Sequence, residues 1–288
     1  MSNPVFSRLE GEWSQESATR GAGAATATTE ALKQQSYPTY DQQAFQRAQE
    51  SYAAPAADSV DTGRMTYDDV IVKTAMNLGV ALLFAVVAWM VTAANPGLGM
   101  GIMTVGLIAG LVVAMVNIFS KTIRPALILL YSALEGLALG ALSYVVDAYA
   151  PGVVLQALIA TFAVFGVTLA LFSSGKVRNS PKMQRFVLIS LVGLIVSRLL
   201  IWILGMVGLP VEGVYNQSIF GIPLAVFISL FAVLVGAMSL IGDFDQVKIG
   251  VQMGAPAQYA WSCAFGIMVT VVWLYVELLN MLSRLNRN

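Results

Sequence analysis

Residues 74–120 contain no charged side chain, and the run is interrupted at Asn95-Pro96-Gly97. A membrane-spanning helix needs about 20 apolar residues, so this stretch predicts two helices, 71–93 and 98–119, joined by a turn. Lys121 and Arg124 close the second. Further apolar runs predict helices at 125–146, 153–173, 184–208, 218–241 and 258–282. Pro125 suits a first helical turn, where the N–H it lacks has no partner to lose, and Thr66 or Asp68 can cap the first helix. The separators are polar or carry Gly and Pro, as at 147–152, 174–183, 212–216 and 250–256. Residues 1–64 differ: they hold Gln, Ala, Ser, Thr and Gly without a sustained apolar period, which predicts a disordered tail. The pattern therefore predicts an all-α membrane protein, a seven-transmembrane-helix bundle over 65–288 preceded by a tail over 1–64.

Composition agrees with that pattern and removes several functions. Of 288 residues, 57% are hydrophobic and 11% charged, against about 25% charged in a soluble domain. The 16 basic and 16 acidic residues cancel, so there is no basic excess for a nucleic-acid partner. Histidine is absent, which excludes histidine-based catalysis, histidine-ligated zinc and histidine pH switches. Any pH response must come from carboxylates. The single Cys263 excludes an internal disulfide and reads as a small core hydrophobe. No Walker-type loop is present, a rhomboid-type Ser-His pair is impossible, and Leu240-Ile-Gly-Asp243 lacks the first glycine of a presenilin-type motif. An enzyme is not expected, nor is a bound cofactor.

Charge placement sets the expected orientation. Lys121 and Arg124, the four basic residues of 176–185, and Lys248 fall on one side with Arg64 and Lys73, whereas 94–97, 147–152 and 209–217 carry no Lys or Arg. By the positive-inside rule the tail is expected on the cytoplasmic side, with the cytoplasmic membrane as the expected location; the chain's start also lacks the apolar core of a signal peptide. Seven spans put Arg284 and Arg287 outside, against the rule, unless the last segment re-enters.

Charges inside the apolar runs are the candidate chemistry, because an ionisable side chain in a span costs a few kcal/mol and normally pairs or faces a wet interior. Glu277 follows an uncharged stretch from 249 to 276; Arg198 lies between uncharged stretches 186–197 and 199–211. An ion pair of Arg198 with Glu135 or Glu277 is expected. Asp243 and Asp245 lie near the inner end of the sixth helix. Glu135 precedes Gly136-x-x-x-Gly140, a spacing that lets helices approach closely, and it can serve as a packing acceptor. Asp243 and Asp245 also admit a simpler role as interfacial charges, and Arg124 one as a membrane-edge anchor. Trp89, Trp202, Trp261 and Trp273 read as lipid or interface contacts.

Three segments resemble elements of a known family. Gly242-Asp-Phe-Asp-Gln-Val-Lys248 is similar to an Asp-x-Asn/Asp-Gln-Ile/Val-Lys element, Leu274-Tyr-Val-Glu-Leu-Leu-Asn280 to a Leu-Tyr-Leu-Asp-Ile-Ile-Asn element, and residues 134–143 to a third-helix Glu-Gly-x-x-x-Gly segment. In this order they resemble the transmembrane Bax inhibitor motif family, in its bacterial YccA-like branch; Asn3-Pro-Val-Phe-Ser-Arg8 and Met65-Thr-Tyr-Asp-Asp69 resemble its Bax inhibitor-like subgroup. The resemblance implies a bundle with the last helix near the centre and a pH-sensitive calcium leak. It further implies that Asp243 and Glu277 share a proton and close the pathway, with Arg124 as basic partner.

Here the second acid is Glu where the family usually has Asp, and Asp245 stands where many members have Asn. Two carboxylates held close in a poorly solvated site cannot both ionise easily and titrate as a unit, and when ionised they suit Ca2+. The predicted span places Glu277 about 30 Å along its helix, so contact with Asp243 requires a later helix start, a kink near Gly266 or a re-entrant segment. The alternative function is regulatory: a bundle that binds another membrane protein, such as a protease or stress factor. A proton-coupled transporter is the third.

Overall fold

The computed structural model describes residues 63–208, 217–219 and 222–286. The predicted tail falls outside these residues except for Gly63 and Arg64, as do Arg287 and the loop at 209–216. Seven helices are long and apolar enough to cross a membrane among the described residues. They are α1 (Tyr67–Ala94), α2 (Pro96–Phe119), α3 (Pro125–Tyr149), α4 (Val153–Ser173), α5 (Pro181–Met206), α6 (Leu224–Gln252) and α7 (Tyr259–Leu285). A short antiparallel pair, β1 (Ser218–Ile219) with β2 (Ile222–Pro223), precedes α6. The chain is a multi-pass membrane protein.

Local chemistry sets the helix ends. Thr66 caps α1 in a reciprocal capping box: its hydroxyl accepts from the Asp69 N–H at 3.0 Å, and the Asp69 carboxylate accepts from the Thr66 N–H at 3.1 Å. Two first-turn donors are satisfied this way, and α1 begins four residues before the apolar run suggests. Asn95 and Ser180 cap α2 and α5, each followed by a proline at the first helical position, as the fixed φ of proline favours. At the end of α6, Gly254 adopts φ +65° and the Ala255 N–H reaches back to the Gly250 carbonyl at 3.0 Å, closing the helix with a left-handed residue.

The predicted bundle forms with α7 at its centre. Most of α7's apolar stretch is buried, while none of α5's is. α7 packs against α6, α1, α4 and α3, whereas α5 packs along α6. The main core joins Val146, Val153, Leu240, Phe244, Ile267, Leu274 and Leu278, and Cys263 is wholly buried beside them. α1 and α3 approach closely because Gly136 and Gly140 have no side chain: a methyl on either would run into the backbone of Ala81 or Ala85.

The last segment is one continuous helix, so its two ends lie on opposite faces of the bundle. One face carries the loops between α2 and α3, α4 and α5, and α6 and α7. There the Met65 N–H donates to the Ala255 carbonyl at 2.6 Å and the Ala257 N–H to the Gly63 carbonyl at 2.9 Å, fastening the approach to α1 onto the α6–α7 loop. This is the face with the basic loops.

Candidate functional site

Depth along the helices decides which charged groups can meet. At 1.5 Å per residue, Asp243 lies about 13 Å from the basic-face end of α6 and Thr270 about 16 Å from that end of α7; Glu277 lies about 27 Å from the same end and Arg198 about 26 Å along α5. Two levels result.

At the deeper level, one Arg198 Nη lies 2.6 Å from one Glu277 carboxylate oxygen and 2.7 Å from the other. Trp273, one turn earlier on α7, donates its indole N–H to Glu277 at 3.2 Å. Glu277 is buried and the Arg198 side chain half-exposed, so the carboxylate is held by two donors inside the bundle while the guanidinium bridges from the peripheral helix. Of the two acids the sequence offers Arg198, Glu277 takes it.

At the other level, Asp243 is 5% exposed and accepts from the Thr270 hydroxyl at 2.7 Å. The Gly266 carbonyl lies 3.2 Å from the same hydroxyl and can only share its single proton. The structure does not bring Asp243 and Glu277 together, because α7 is regular from Tyr259 onward and supplies neither the late start nor the re-entrant turn that contact requires. Asp245, two residues from Asp243 on the helix, points elsewhere: it accepts from the Asn179 side-chain amide in the α4–α5 loop at 3.1 Å. Arg124 is exposed at the start of α3 and makes no ion pair among the described residues.

Asp243 lies on the wall of a partly open cavity of about 880 Å³ lined by α2, α3, α5, α6 and α7. Glu135, Asn179, Gln246, Thr270 and Trp273 share that wall; the remainder is largely aliphatic, from Leu111 on α2 to Leu188 and Leu191 on α5. No Lys or Arg lines it. Glu135 fits against Gly110, where an added Cβ would come within 3.1 Å of its carboxylate. On α7 the lining ends at Trp273 and on α5 at Ile195, so the Glu277–Arg198 pair lies about one turn beyond the lining, toward the other face.

The chain matches the family described as Bax inhibitor 1 like over residues 3–287. It belongs to that family. The match identifies the family as a whole, without a branch within it, and no curated protein matches the chain. In this Bax inhibitor 1 like protein, the two family-like segments that carry Asp243 and Glu277 lie on neighbouring packed helices, α6 and α7, yet their acids have different partners.

Sequence reasoning missed Thr270, Trp273, Asn179 and Gln246. It sought charged partners for the acids, whereas three are neutral donors and Gln246 lies in the family-like segment itself. With the sixth helix expected to end at 241, Thr270 falls about 18 Å deeper than Asp243; the continuation of α6 to Gln252 brings the two level. No group of three or more metal-ligating acids, Cys or His occurs among the described residues.

Proposed function

We propose that this Bax inhibitor 1 like protein is a cation leak of the cytoplasmic membrane, passing Ca2+ and gated at Asp243, with its N-terminus in the cytoplasm. The observation that carries the reading is a buried carboxylate on the wall of a large cavity that no basic side chain lines. An unpaired charge in apolar surroundings costs several kcal/mol, so a proton and a cation compete for Asp243. Oxygen ligands favour a hard ion such as Ca2+, which carries part of its water with it. Glu277 is already neutralised by Arg198 and serves as the closure rather than as half of a proton-sharing pair. The reading requires no bond-making chemistry and no cofactor.

Proteoliposomes loaded with a Ca2+ indicator test it. Flux is expected to fall as pH is lowered, because the proton then holds Asp243, and Asp243→Asn is expected to remove that dependence. Wild-type liposomes without Ca2+ flux would overturn the reading.

A second reading rests on α5, which beyond Arg185 has Arg198 as its one charged residue and has no buried residue. Such a helix offers a face to another membrane protein, as a regulatory role requires. A stoichiometric partner crosslinked through α5, in a protein that passes no Ca2+, would favour it.

A further inference from the structure

The cavity is larger and more apolar than an ion needs. Its volume of about 880 Å³ lies in the range of sites for drug-sized molecules, about 300–1,000 Å³, which are mainly apolar with a few placed polar groups. The polar groups here have one sign of demand. Asp243 and Glu135 are carboxyl groups without a basic neighbour on the wall. Gln246 is 4% exposed and lines the same cavity beside Asp243. A carboxylate in such surroundings is costly without a cation or a donor.

The cavity also has a side approach. α2 and α5 form two of its walls, share no extensive packing with one another, and expose apolar side chains around them.

We propose that this cavity binds an amphiphilic organic amine. Its ammonium is set between the Asp243 and Glu135 carboxyls, and its apolar body lies along Leu111, Leu188 and Leu191. A protonated amine supplies both a charge and N–H donors to the carboxylates, whereas a quaternary ammonium supplies charge alone. Two sources share this chemistry: a free amine, and the aminoethyl headgroup of a bilayer phospholipid. The phospholipid also brings a phosphate, for which the wall offers no cation, so the free amine fits better.

Equilibrium dialysis of 4-phenylbutylamine against the full chain in phosphatidylcholine nanodiscs tests this, with empty nanodiscs correcting for partition. Binding is expected to saturate at one site, to weaken at least tenfold in Asp243→Asn, and to weaken comparably with 4-phenylbutanol or the trimethylammonium analogue. Leu188→Phe, on the peripheral α5 wall, is expected to weaken it with the carboxylates intact. Phosphatidylethanolamine that displaces the amine would transfer the site to the bilayer's own lipid; phosphatidylethanolamine without effect supports the free amine. Non-saturating uptake, or equal binding of amine and alcohol, overturns the proposal. The measurement does not involve flux, so it stands apart from the leak reading.

Discussion

Arg198 and Glu277 join the most peripheral helix of the bundle to its most buried one, with contacts of 2.6 and 2.7 Å from one guanidinium nitrogen to the two carboxylate oxygens. The two ends of the pair are unequal. Glu277 is buried within α7 and Arg198 is half-exposed on α5, so removing the arginine strands a charge in the interior, while removing the acid leaves a cation able to reach toward the interface. Breaking a buried pair from one side costs about 3–5 kcal/mol. Arg198→Ala is therefore expected near the lower end of that range, and Glu277→Gln, which keeps an acceptor for Trp273, at about 1 kcal/mol. Thermal unfolding in detergent checks the order; Glu277→Gln as the more damaging change would contradict it.

The crossing of α1 and α3 leads to a sharper contrast. A methyl at Gly136 or Gly140 meets backbone atoms of Ala81 or Ala85, which cannot rotate away, whereas a methyl at Gly101 or Gly166 meets nothing within 4 Å. Overpacking of a tight contact costs about 1–3 kcal/mol. Gly136→Ala and Gly140→Ala are expected to lower the thermal midpoint clearly. Gly101→Ala and Gly166→Ala are expected to leave it unchanged or slightly higher, since alanine is the better helix former.

These contrasts show what was legible in the chain and what was not. Helix number was, because charge-free runs of bilayer length have no other stable state in lipid; the span of α6 was not, since it runs over Leu224–Gln252 rather than 218–241 and so carries Asp243 inside the bundle. The close approach at Gly136 and Gly140 was readable from their spacing. The order of burial was not evident from apolarity: α5 is as apolar as any segment yet lies at the edge, and α7 is central. Small and polar side chains such as Ser262, Ala264, Gly266 and Thr270 fit α7 for helix contact on several sides, a clue that overall apolarity hides. The site was half legible. Asp243, Glu277 and Arg198 stood out as charges at or in apolar runs, but their pairing depended on depth, and the depth of Asp243 is set by where α6 ends: the helix continues through Asp243 and Lys248 to Gln252.

The α6–α7 loop gives a backbone prediction. Gly254 has φ +65° and the Arg64 side chain lies over it, 3.2 Å from where a Cβ would stand. Alanine there combines a left-handed backbone, costing about 1–2 kcal/mol, with crowding against Arg64. Gly175 has φ +72° in open space and provides the control for the backbone part alone. Gly254→Ala is expected to destabilise more than Gly175→Ala, and Arg64→Ala is expected to reduce the difference. Equal effects would show that the Arg64 contact carries nothing.

Orientation provides the last test, and one feature of the chain makes it clean. Cys263 is the chain's single cysteine and is wholly buried, so it is expected to resist maleimide in intact membranes and leave added cysteines to report alone. With the basic loops inside, a cysteine replacing Lys176 is expected to react with a membrane-impermeant maleimide after permeabilisation and not before. A cysteine replacing Tyr149, exposed near the opposite end of α3, is expected to react in intact cells. Because α7 runs through the bundle as one helix, a cysteine at Asn286 must label with Tyr149 and against Lys176, despite the arginines beside it. Labelling of Asn286 together with Lys176 would mean that the basic residues at the C-terminus, rather than the continuity of α7, determine where the chain ends.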